Sequence, residues 1–284
     1  MLLILIFAAL CGSAHGGARE VNWYLSAGQV ANNEALVRYH GAAITGTYLC
    51  CGFGHVSANG SWSGIGTAAA AAQMAPFPAN MSVWFVIGVS NASISEANWA
   101  PGVAAAAALA AQLPGLTGYI VDYEPVTNYT DAHAAAYAAF LGALCAALRS
   151  TGRRCGMDIA GWTILGPRFW QHYVSAGVQR FTSMTPTYDA TNLTENRVFV
   201  AQALAQLPRA AFEAGLGSTL ADAAACPMQF AWSAHTLPPF VQWMAGEGVG
   251  ALAVWRCDID RPYPEPDPTA PFLFEALEGF LAGA

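Results

Sequence analysis

Near the middle of the chain an apolar run, Leu116-Thr-Gly-Tyr-Ile-Val-Asp-Tyr-Glu-Pro125, stops abruptly in two carboxylates. Tyr119, Ile120 and Val121 are β-formers bounded by Gly118 and Pro125, which predicts a short buried strand. Side chains two apart on a strand share a face, so Asp122 and Glu124 stand side by side with about 6 to 7 Å of rise between them. Two acids at the C-terminal end of an otherwise apolar strand mark a mouth where chemistry happens, as at the top of a (β/α)8 barrel. The competing reading is a strand end whose acids cap or salt-bridge the next helix.

The rest of the chain alternates in the same manner. Strands are expected at Val21–Leu25, Ala43–Cys50, Ser82–Ile87, Arg153–Ala160, Arg180–Met184, Ala210–Gly217 and Gly250–Trp255, besides the acid-bearing one. Helices are expected at Asn32–Tyr39, Ala68–Met74, Val103–Leu113, Asp131–Ser150, Gly166–Ala176, Glu195–Leu207, Leu237–Gly246 and Pro271–Leu281, and a long loop at Gly52–Gly66. Thr130 or Asp131 caps the clearest helix and Thr151-Gly152 ends it. Eight strand–helix pairs in roughly 250 mature residues predict an α/β fold, a single (β/α)8 TIM barrel. A doubly wound sheet would need a Gly-rich phosphate turn after the first strand, and Leu25-Ser-Ala-Gly-Gln does not supply one. The alanine-rich Val103–Leu113 is too short to span a bilayer.

Composition narrows the partners. A formal charge of -7 argues against nucleic acid and acidic membranes. The chain has no lysine, which removes a Walker A loop and a Schiff-base mechanism. The aliphatic Met1–Leu10, followed by Gly12-Ser-Ala-His-Gly16, reads as a signal peptide over residues 1–16, with the barrel over 17–284 and no membrane span after cleavage. Sequons at Asn59, Asn80, Asn91, Asn128 and Asn192 fit a glycoprotein of the secretory pathway or the extracellular space. Six cysteines remain without Cys11; Cys145 and Cys155 are placed to join a helix end to the next strand, while Cys50, Cys51, Cys226 and Cys257 cannot be paired from sequence. No ligand spacing suggests zinc, and no cofactor is expected.

Three segments carry a family resemblance. Thr117-Gly-Tyr-Ile-Val-Asp-Tyr-Glu124 resembles the D-G-x-D-x-D-x-E strand of glycoside hydrolase family 18, which includes chitinases and endo-β-N-acetylglucosaminidases. Ser183-Met-Thr-Pro-Thr-Tyr-Asp189 resembles its Met-x-Tyr-Asp, and Gly250-Ala-Leu-Ala-Val-Trp255 resembles its last strand. The resemblance implies Glu124 as general acid, Asp122 as the residue orienting the substrate acetamido group, and Tyr188 as a hydrogen-bond donor to it. It also implies Trp255 as a stacking floor, with Met184 and Asp189 of the second motif at the sugar. The implied reaction is retaining hydrolysis of β-linked N-acetylglucosamine glycans, in which the substrate's own acetamido oxygen attacks the anomeric carbon. Two carboxyls on one strand suit this better than the usual pair flanking a glycosidic bond, and an ionised Asp122 would disfavour the charged form of Glu124.

The departures are specific. Thr117 and Ile120 stand where the motif has its first two acids, and two additional residues separate Met184 from Tyr188. Trp23, Trp62, Trp99, Trp162 and Trp232 offer further sugar-stacking faces, against the alternative that each is core. Among the other acids, Asp158, Glu213, Asp258 and Asp260 lie near strand ends, and Asp258 or Asp158 would be the second carboxylate of a conventional glycosidase. The expectation is therefore a secreted, monomeric glycoside hydrolase. Its rivals are a non-catalytic carbohydrate-binding barrel and a two-carboxylate glycosidase on another glycan.

Overall fold

Side chains on a strand point alternately to its two faces, and strand register decides which set faces inward. The computed structural model describes residues 18–126, 130–184, 187, 190–218, 232–256 and 271–283. Its strands are β1 (Glu20–Ser26), β2 (Gly46–Val56), β3 (Trp62–Gly64), β4 (Ser82–Val89), β5 (Leu116–Asp122), β6 (Arg154–Ile159), β7 (Arg180–Ser183), β8 (Phe212–Ser218) and β9 (Ala251–Arg256). All neighbours pair in parallel except β2 with β3, and β1 pairs with both β9 and β2. Leaving out the hairpin strand β3, eight parallel strands close into a barrel. The helices are α1 (Val30–His40), α2 (Thr67–Met74), α3 (Asn91–Glu96), α4 (Ala100–Ala111), α5 (Asp131–Ser150), α6 (Trp170–Ser175), α7 (Leu193–Gln206), α8 (Leu237–Gly246) and α9 (Pro271–Ala282). Helices alternate with the strands in the order expected of a (β/α)8 barrel.

The alternation yields two cores. Trp23, Leu25, Leu49, Phe85, Tyr119 and Val121 belong to the large apolar cluster that also takes in the buried faces of the helices. Tyr24, Tyr48, Trp84, Val86, Ile120 and Ala253 form a smaller cluster within the barrel. At the end where the strands begin, the interior is ionic. Glu213, fully buried, accepts from Asn22 Nδ2 at 2.5 Å, Thr182 Oγ1 at 2.7 Å and the Tyr48 hydroxyl, and its Oε1 lies 3.6 Å from Arg180. Arg180 also pairs with Glu20. Glu213, considered above as an acid near a strand end, therefore braces the barrel floor.

Local signals explain most elements. The Thr130 hydroxyl accepts from His133 N at 3.1 Å, Asp131 lies in the positive first turn and Arg149 in the negative last turn of α5. Gly152, at φ +73°, reverses the chain into β6. Helix α5 is long and apolar enough to cross a membrane by length and composition, and here it packs on β6 and three neighbouring helices. Two expectations are corrected. Gly52–Gly66 is not one loop: β2 continues to Val56, paired with β4, and turns back through β3. Glycine lowers strand preference locally, but pairing on both sides supplies what the residues lack. Gly166–Ala176 is a 3-10 turn, Pro167–Phe169, followed by α6, so only its second half is α-helical.

Cys145 and Cys155 form a disulfide between the last third of α5 and the second residue of β6. Closing so short a loop restricts the unfolded chain, so Cys145→Ser with Cys155→Ser should cost about 2 to 4 kcal/mol. The measurement is urea unfolding of the two proteins, comparing each midpoint multiplied by its own slope, because releasing the loop makes the unfolded chain less compact.

Candidate active site

Strand β5 delivers the acids. Its pairing with β4 sets Gly88 opposite Asp122. Its pairing with β6 runs Gly118 with Arg154, Ile120 with Gly156 and Val121 with Met157, so the next rung places Asp122 beside Asp158. Both are inward positions, like Tyr24 on β1 and Trp255 on β9. Together with Glu124 and Met184 these side chains line a cavity of about 710 Å³ at the C-terminal ends of the strands. A smaller hollow of about 430 Å³ shares Asp122, Glu124 and His55 with it, so Glu124 stands between two recesses.

What holds Glu124 there is the residue between the two acids. Tyr123 points away from the barrel, and its hydroxyl donates to Asn91 Oδ1 at 2.6 Å and meets His133 Nε2 at 2.8 Å. A hydroxyl has one proton to give, so His133 Nε2–H is the donor in the second bond. Burial holds the His133 ring below its ordinary pKa, which keeps it neutral. The chain leaving β5 is thereby tied to α3 and α5, and Glu124 projects exposed into the cleft.

Burial acts on two of the carboxyls. Asp122 is half-buried with Oδ1 shut off from solvent, and that oxygen has no partner among the described residues. Burial, then the charge of Glu124 and a hydrogen bond with it, push the Asp122 carboxyl up to about 7. Asp158 is 2% exposed and accepts from Tyr24 Oη at 2.8 Å. Burial and the neighbouring Asp122 charge raise it well above the carboxylate range, and the Tyr24 bond offsets only part of that. Near neutral pH the Asp122 carboxyl therefore still carries its proton part of the time. That proton can be handed along a hydrogen bond to the acid facing the cleft.

Of the residues singled out in the sequence, Glu124, Asp122, Trp255 and Met184 meet in the cavity, and Trp162 and Asp158 join them. Tyr188, Asp189, Asp258 and Asp260 lie outside the described residues. Trp23 is corrected: 1% exposed, it stacks on Phe274 at 5.5 Å in the outer core and has no face in the cleft. Its neighbour Tyr24 is the residue that looks inward. Strand parity carried that signal, since Asn22, Tyr24 and Ser26 form the more polar face of β1. Trp62 and Trp99 pack against the outer core as well.

No known family's sequence profile matches the chain, and no curated protein resembles it in sequence. Solved structures do resemble it in fold. A chitinase from Bacteroides thetaiotaomicron superposes with a TM-score of 0.67 at 11% identity, covering 94% of this chain and 97% of that one. A chitinase from Chromobacterium violaceum gives 0.65 at 13%, covering 93% and 99%. An endo-β-N-acetylglucosaminidase from Cordyceps militaris gives 0.54 at 12%, covering 94% and 92%; that protein carries Asn and Gln in place of an Asp and a Glu two positions apart, and is bound to fucosyl-N-acetylglucosamine-Asn. At these identities the likeness establishes the barrel fold.

The raised Asp122 pKa has a sign for stability. Above about pH 4 the unfolded chain releases this proton while the fold keeps it, so the stability it contributes is complete below the ordinary carboxylate range and is lost as pH rises through about 7. Asp122→Asn cannot ionise. Thermal midpoints taken from pH 4 to 8 should show the wild type falling relative to this variant, and parallel curves would place the proton elsewhere.

Proposed function

We propose that the protein is a secreted glycoside hydrolase that cleaves β-linked N-acetylglucosamine glycans with the substrate's acetamido group as nucleophile. The observation that carries this reading is a pair of carboxyls, Asp122 and Glu124, two residues apart at the end of one barrel strand and lining the same cavity. Similarity in fold to chitinases and to an endo-β-N-acetylglucosaminidase supports it.

The proton on Asp122 moves to Glu124, which gives it to the glycosidic oxygen as that bond to the anomeric carbon breaks. The acetamido oxygen bonds to the same carbon from the opposite face, forming a cyclised oxazolinium. Asp122, now ionised, accepts from the acetamido N–H and stabilises the positive charge. Water then attacks the anomeric carbon as the bond from that carbon to the acetamido oxygen breaks and restores the amide, Glu124 takes the water's proton, and the sugar leaves with its configuration retained. The recesses on either side of Glu124 would hold sugar on both sides of the broken bond, and Trp255 offers an apolar face to a pyranose. No metal or organic cofactor takes part in these steps.

A two-carboxylate mechanism fits less well. Asp158 lies one strand away from Asp122 and almost fully buried, whereas the usual partner acids flank the bond from opposite sides. Secretion is supported by exposed asparagines at Asn59, Asn80, Asn91 and Asn192 and by the disulfide, which suits an oxidising compartment.

The test is hydrolysis of aryl chitobiosides, chitin oligomers and N-glycans by the purified protein. Glu124→Gln should lower kcat by roughly 10² to 10⁴ while glycan binding persists, and a thiazoline mimic of the cyclised intermediate should inhibit the wild type. A wild type that binds these glycans and cuts none would make the barrel a lectin.

A further inference from the structure

On the acid-bearing strand the inward position beneath Asp122 is apolar. Ile120, one inward position below Asp122, is fully buried and apolar, so nothing directly beneath Asp122 on β5 can hydrogen-bond to it. Its δ-methyl occupies the space beside β6 at Gly156, where an added Cβ would come within 2.4 Å of it. The next inward residue on β6 is Asp158, and continuing the register by one residue beyond Val121 and Met157 sets it beside Asp122, with which it lines the cavity. Adjacent strands lie about 4.8 Å apart, so inward side chains on one rung are direct neighbours.

We propose that Asp158 is a positioning residue: as a neutral carboxylic acid it donates a hydrogen bond across the strand pair to Asp122, taking the place of the acid that Ile120 cannot provide. The assignment rests on the glycosidase reading only for what Asp122 does next; the bond itself requires none. Three observations support it. Asp122 Oδ1 is a buried acceptor with no partner among the described residues. Asp158 Oδ1 is already occupied by the Tyr24 hydroxyl, which leaves the other oxygen to carry the proton. Most groups facing Asp158 disfavour its ionisation: burial, Asp122 and Glu124 from β5 and its exit, and Glu213 from β8 all act against the charge, the Tyr137 hydroxyl of α5 is neutral, and only the Tyr24 donor on β1 favours it. A buried acid kept neutral so that it can donate is a known device for steadying developing negative charge.

When Asp122 passes its proton to Glu124 it becomes a carboxylate, and the Asp158 bond strengthens at that moment. Without it, Asp122 would be free to turn from Glu124 and would release its proton less readily. Asp158 thus acts on the reaction through Asp122 and never touches the sugar.

The experiment pairs kinetics with carboxyl ¹³C NMR on the intact chain labelled at aspartate. In Asp158→Ala kcat should fall roughly tenfold to a hundredfold with KM little changed. Asp158→Asn, which keeps a neutral donor, should recover most of that loss. In the spectra one carboxyl, assigned by its disappearance in Asp158→Asn, should remain protonated at neutral pH while the Asp122 signal titrates. Turnover in Asp158→Asn as low as in Glu124→Gln, or an Asp158 signal already ionised at neutral pH, overturns the proposal. If Asp158→Ala does not fold, the Asn variant and the spectra decide. If the wild type cuts no glycan, the glycosidase reading fails, and the spectra alone decide on the hydrogen bond.

Discussion

Pairing of β1 with β2 is the constraint on which the remaining architecture depends. Until that ladder forms, the parallel sheet has two free edges and its inward face is open to water. Once it forms, every second side chain on eight strands is enclosed, and burial begins to dictate charge. The Glu213 carboxylate at the floor is tolerable because Asn22, Tyr48, Thr182 and Arg180 surround it. At the other end the enclosure is partial, and the carboxyls there retain protons that water would have taken. One geometric event thus produces a rigid ionic base and a proton-holding mouth.

Much of this was legible in the residues, for a reason peculiar to parallel barrels. Strands buried on both faces read as apolar runs, so an acid within one is conspicuous, and Asp122 and Glu124 stood out before any contact was known. Helix α5 announced itself through Thr130, Asp131 and Gly152. Facing was harder. Trp23 and Tyr24 are adjacent aromatics, and only the register with β2 and β9 shows that Tyr24 is the one inside. Gly52 to Gly66 was misleading because its order comes from neighbouring strands, which local preference does not encode. Asp158 was singled out as an acid near a strand end, but its neighbour was hidden for the same reason, since that neighbour is 36 positions away by the β5–β6 register.

The site also shows how support is divided among elements. Asp122 is set by the strand, Glu124 by the Tyr123 anchor on Asn91 and His133, and Asp158 by the adjoining strand and Tyr24. Strand β6 is in turn tied covalently to α5, the helix that carries His133. The three carboxyls therefore rest on supports that meet in α5 and β6, so their relative placement is less free than three side chains on separate loops would be.

The packing around Gly156 has a consequence for variation. A methyl added there would meet the Ile120 δ-carbon at 2.4 Å on one side and Arg180 Cβ at 2.8 Å and the Arg180 carbonyl oxygen at 3.0 Å on the other. The tip of an isoleucine can turn aside, whereas Arg180 is held opposite Gly156 in the β6–β7 ladder. Position 156 is therefore held to glycine from the β7 side whatever stands at 120, and a change at 120 leaves the neighbouring strand as constrained as before.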